Sequence, residues 1–195
     1  MAARITRTLS AFKQLMATTL RNCEVPWSIS PSSSGVTLIH EETDVEPLCR
    51  VVLGAGRLNS DGRTDLRRIE IVFELAYFTR TTPHSDYHGP SEYGFEIVDE
   101  YQGNQYVEWR KQQWLETGIC PDSGFYVADS SDWLESVSKF SKREFNHYLF
   151  DGRDGHVELL ASKYRWAEWM PDENSRDWSG VWPLETAVYN STNGG

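Results

Sequence analysis

The chain has 195 residues, a formal charge of −10, 39% hydrophobic and 13% aromatic residues. That length suits one domain with one core, taken as residues 1–195, and the apolar content excludes a disordered chain. So acidic a balance excludes a broad surface for nucleic-acid phosphates, which needs clustered Lys and Arg. No apolar run approaches the roughly 18 residues of a membrane span. Cys23, Cys49 and Cys120 are sparse and odd in number. They read as reduced thiols in a cytoplasmic protein, not as a disulfide framework.

In chain order, residues 1–22 hold Arg4, Arg7, Lys13 and Arg21 and no acid, which leaves −14 on the remainder. Ile5, Leu9, Phe12, Met16 and Leu20 recur every three or four residues and predict an amphipathic, basic N-terminal helix. From Glu24 the pattern turns to strands at 25–29, 36–40 and 48–53, with an acidic connection from Glu41 to Glu46 between the last two. The clearest strand is 66–78. There Ile69, Ile71, Phe73, Leu75 and Tyr77 alternate with Arg68, Glu70, Val72, Glu74 and Ala76, giving one buried face and one mostly wet face. Glu70 and Glu74 fall on the wet side and read as surface residues.

A long connection covers 79–92, and strand signal returns at 93–101. Residues 106–114 fit either the second arm of a hairpin or a helix, since Tyr106, Trp109 and Gln113 also share a helical face. A short strand is expected at 123–128. Asp132 with Glu135 makes a capping-box pattern for a helix to about residue 140. Residues 145–150 and 156–161 form a hairpin around Gly152-Arg153-Asp154-Gly155, followed by a strand at 164–169 and an irregular tail at 172–195. Strands joined by tight turns, with few helices, predict an α+β fold. Its sheet should be mainly antiparallel and curved, with the N-terminal helix and one or two further short helices.

Four groups of side chains are candidates for function. His84, Asp86, His88 and Glu92 could ligate a metal, although the spacing matches no known site and a solvated loop explains them. Asp151, Asp154 and Glu158 lack the ligand order of a calcium loop. Glu41, Glu42, Asp44 and Glu46 form a candidate steering patch for a basic partner. Most distinctive is the late aromatic set, of which Trp109, Trp114, Tyr126, Tyr148, Trp166 and Trp169 are the candidates for an aromatic surface or pocket.

No family motif matches residue by residue. In size, charge and Trp content alone, the chain is similar at class level to small acidic bacterial accessory proteins, such as toxin-neutralising immunity proteins. The leading expectation is a non-enzymatic interaction protein that recognises a basic partner through acidic and aromatic surface. It has no cofactor and no membrane or broad nucleic-acid partner, and a second copy is among the partners its basic N-terminus allows. The alternative is a protein or enzyme with an aromatic-lined pocket for a small apolar ligand, with His84, His88, His147 or His156 as acid or base.

Overall fold

The computed structural model describes residues 18–29, 36–41, 48–56, 67–83, 94–98, 105–152, 155–169 and 190–191. Two six-stranded sheets carry the fold. Sheet I contains β1 (Thr18–Asn22), β6 (Phe78–Pro83), β7 (Phe95–Ile97), β8 (Phe125–Ala128), β9 (Asn146–Gly152) and β10 (Gly155–Ala161), in the order β6-β10-β9-β8-β1-β7. Sheet II contains β2 (Ser28–Ile29), β3 (Thr37–Glu41), β4 (Leu48–Gly56), β5 (Arg68–Glu74), β11 (Lys163–Trp169) and β12 (Asn190–Ser191). Its order is β12-β11-β5-β4-β2, with β3 also on β4. Pairing is antiparallel except between β1 and β7. Among the described residues two helices join them, α1 (Tyr106–Thr117) and α2 (Asp132–Ser138).

The alternation of the strands explains the core. Val51, Leu53, Ile69, Ile71 and Phe73 of sheet II face Phe125, Tyr148, Phe150, Val157 and Leu159 of sheet I in one buried cluster. Aromatic rings knit the sheets together. Phe125 stacks on Phe150 at 4.4 Å and on Trp27 at 6.0 Å, while Phe73 meets Phe150 edge-on at 5.9 Å. Burial of this apolar area is the main stabilising term, at roughly 25 cal/mol per Å², and the ring geometries add to it.

Several sequence expectations are corrected. Residues 18–22 are a strand, and the first helix among the described residues begins at Tyr106, so the N-terminal helix is not supported. Residues 1–17 lie outside the described residues. The single strand expected over 66–78 is two. Leu75, at φ 56°, breaks it, and the chain leaves sheet II for sheet I. A non-glycine residue there costs on the order of 1–3 kcal/mol, and pairing of β6 with β10 compensates. The supposed wet face of β5 is buried at its centre, where Glu70 lies 3.0 Å from Arg50 on β4 and both are buried, while Arg68 and Glu74 at its ends are half-buried. Removing one charge of such a pair would cost the other a close partner of opposite charge in a buried setting. The open choice at 106–114 resolves as helix, closed by Gly118 at φ 74°.

Gly124 illustrates why one turn needs glycine. It sits at φ 77°, and a Cβ there would lie 3.2 Å from Ile29 Cδ1 and 3.3 Å from the Asp151 carbonyl oxygen. A side chain there would strain the backbone and press on Ile29 and the Asp151 carbonyl.

Candidate functional site

The late aromatics go mostly inward. Trp114, Tyr126, Tyr148 and Trp166 are buried, and Trp109 is half-buried against Tyr106 at 5.8 Å. Tyr148 and Trp166 belong to the inter-sheet cluster, and burial pushes the Tyr148 hydroxyl up to about 12. Tyr126 donates to Asp122 Oδ1 at 2.7 Å, Tyr106 donates to Oδ2 at 2.9 Å, and Arg110 donates to the Asp122 carbonyl at 2.7 Å. Asp122 is therefore the anchor of α1. Trp114 reinforces it by donating to the Pro26 carbonyl at 3.2 Å. An exposed surface made of these four buried rings is ruled out by their burial. The Trp169 side chain, the acids Glu42, Asp44 and Glu46, the side chain of Glu41, and the loop with His84, Asp86, His88 and Glu92 lie outside the described residues.

The outer face of sheet I carries the unusual chemistry. His156 and Glu158 share that face two residues apart on β10. His147 on β9 joins them diagonally, because Leu160 rather than Glu158 is its direct partner. His147 Nε2 lies 3.0 Å from one Glu158 oxygen, and His156 Nε2 lies 3.6 Å from the other. On its far side, His147 Nδ1 meets Ser131 Oγ at 2.8 Å. Burial pushes the Glu158 carboxyl up. The hydrogen bonds from both histidines and the positive charge at His147 and Arg80 outweigh this and hold it at about 2.

Ser131, His147 and Glu158 thus have the connectivity of a nucleophile, base and acid. Their surroundings point to another use. Ser131 Oγ already accepts from the Leu134 N–H as the cap of α2, a role expected of Asp132 and taken instead by its neighbour. All three residues are no more than 5% exposed. Trp133 covers His147 edge-on at 5.2 Å, and Arg80 covers Trp133 at 3.5 Å. This relay fastens α2 to the sheet. Among the described residues, no group of His, Cys, Asp and Glu could hold a metal ion.

What α2 leaves open at its other end is a groove. Tyr77 and Phe78 come from the crossover into β6, Ser136, Val137, Phe140 and Ser141 from the end of α2 and the turn after it, and Arg143 and Phe145 from the approach to β9. They surround about 520 Å³ of mostly apolar space. Phe140 is 92% exposed, Tyr77 43% and Phe78 39%. The Arg143 guanidinium donates to the Tyr77 hydroxyl at 2.5 Å and lies 5.1 Å from that ring's centre, so the cation is held in place. Phe145 meets both Tyr77 and Phe78 edge-on at 6.3 Å.

The late-aromatic reading missed this group, which straddles the two halves of the chain. One signal was available. Lys139-Phe140-Ser141-Lys142-Arg143 puts an aromatic ring among charges at a helix end, a pattern that serves no buried face. The chain matches no protein-family model, no curated protein and no solved structure, so its function rests on the site itself.

Proposed function

We propose that this chain is a non-enzymatic interaction protein that holds a protein partner against the aromatic groove beside α2. One observation supports the reading above the others: Phe140, Tyr77 and Phe78 stand exposed around a common groove in a molecule that buries most of its other described rings. Aromatic side chains clustered at a concave surface are the usual anchors of a protein contact. The buried relay of Ser131, His147 and Glu158 fits this role, because it fixes the helix that forms one wall.

A small apolar ligand is the competing occupant, and 520 Å³ falls within the roughly 300–1,000 Å³ of such sites. A ring that projects as fully as Phe140 suits insertion into a partner better than it suits the wall of a ligand pocket. At long range the charge of −10 favours a partner of net positive charge. The compartment we propose is the cytoplasm, where the three cysteines, all buried and unpaired, would stay reduced. No helix among the described residues is long and apolar enough to cross a membrane.

The test is a comparison of immobilised wild type with the Phe78→Ser/Phe140→Ser double variant, used to capture proteins from the native lysate. A protein retained in near-stoichiometric amount by the wild type and lost by an equally stable variant supports the groove. Identical retention by both contradicts it.

A further inference from the structure

Resting on that reading, we infer that the segment seated in the groove is acidic and carries large apolar side chains. The segment that follows α2 and supplies Phe140, Ser141 and Arg143 to the groove has the opposite sign to the molecule. Residues 139–144 supply Lys139, Lys142 and Arg143 against one acid, Glu144, all of them exposed, on a chain whose net charge is −10. Among the described residues, none of these three cations is paired with a carboxylate, whereas Arg21, Arg50, Arg67 and Lys163 each are. Arg143 in the groove lining, with two further unpaired cations within four residues of it in sequence, is complementary to a segment that alternates acids with large apolar residues.

Arg143 is the best placed of the three. Its contact with Tyr77 uses one terminal nitrogen and fixes the guanidinium plane at the groove wall. A guanidinium has five N–H donors in a fixed fork, so a carboxylate can still be taken by two of them. Fixing the cation beforehand lowers the entropic cost of that contact.

An anionic lipid surface would meet the same charges, since exposed Phe beside Lys and Arg also suits a membrane interface. The shape favours a segment. Phe145 and Val137 line the groove but are buried and half-buried where Phe140 is exposed, so an inserted side chain reaches them better than a planar headgroup layer does. The peptide is therefore the occupant, and the partner that carries it can still be basic elsewhere.

The experiment uses the full chain and three fluorescent peptides read by anisotropy. One has Leu and Phe at helical spacing with Glu at the remaining positions. The second replaces each Glu by Lys, and the third keeps Glu but replaces the apolar residues by Ser. The first should bind at least about tenfold more tightly than either of the others at low salt. Its advantage over the Lys peptide should shrink in high salt and vanish in Lys142→Glu/Arg143→Glu. Phe78→Ser/Phe140→Ser should abolish binding of the first peptide, and unchanged circular dichroism and thermal midpoints will certify the folds. If the Lys peptide binds as well as the acidic one and still needs Phe78 and Phe140, the acidic occupant is wrong while the groove stands. Binding indifferent to both phenylalanines removes the groove as well. Absence of peptide binding up to millimolar concentration overturns the inference, as does retention on phosphatidylserine vesicles without it, which would assign the patch to lipid.

Discussion

The space between the two sheets and the groove at the end of α2 use the same residue types to opposite ends. Between the sheets, Phe125 is fully buried, stacked on Phe150 and Trp27 and touched edge-on by Phe73 and Tyr164. In the groove, Phe140 touches so little that it is almost wholly exposed, though it belongs to the same local chain as a capped, well-held helix. A ring saturated by its own fold stabilises that fold. A ring left open beside the fixed guanidinium of Arg143 has area free for the contact we propose.

Four substitutions would break or sharpen that contrast. Phe125→Ala should have the largest effect, a loss of about 3–5 kcal/mol in denaturant unfolding, because it opens a cavity among five rings. The outer-face relay should show itself in acid. A carboxyl held at about 2 in the folded state, against an ordinary 4.5, contributes stability above the ordinary value and loses it as pH falls through the lower one. Between pH 4.5 and 2 the wild type should therefore lose on the order of 3 kcal/mol more than Glu158→Gln, measured by denaturant midpoints across that window. Equal acid sensitivity would mean that Glu158 is not held by its histidines.

Ser131→Ala removes the cap of α2 and the hydroxyl against His147 together. A loss of about 1–2 kcal/mol is expected, with faster amide exchange in 132–138 as its local signature. Phe140→Ser should cost less than about 0.5 kcal/mol, as exposed substitutions do. A cost comparable to that of Phe125→Ala would place Phe140 among the structural rings and dissolve the distinction.

Much of the sheet architecture was legible because period-two alternation is a local signal. Ile69, Ile71 and Phe73 point inward as read, and the hairpin from β9 to β10 lies where its glycines place it. What was hidden depended on distant partners. Nothing near Glu70 announces Arg50, which reaches it from a neighbouring strand. Leu75 carries no mark of its left-handed backbone, because only the transfer of β6 to the other sheet demands it. Helical spacing at 5–20 ran into Thr18–Asn22, whose partners β7 and β8 hold it extended.

The candidate site divides in the same way. His147 and His156 could be nominated as polar residues of interest, and His156 with Glu158 could be put on one face by counting. Their meeting with His147 required the register of two strands, and the cap by Ser131 required the docking of α2. Reading the late Trp and Tyr residues as an aromatic surface or pocket overlooked how many rings two facing sheets consume. Tyr148, Trp166 and Phe150 all lie in that one cluster. The most exposed ring among the described residues, Phe140, is a phenylalanine at a helix end.

The most direct measurement is amide hydrogen exchange of the full chain with and without the partner that the wild type captures. Docking in the groove predicts slowed exchange in 77–83 and 132–145, with β11 and α1 unchanged. Protection confined to α1 or β11, with none along β6 and α2, would contradict the account at its centre.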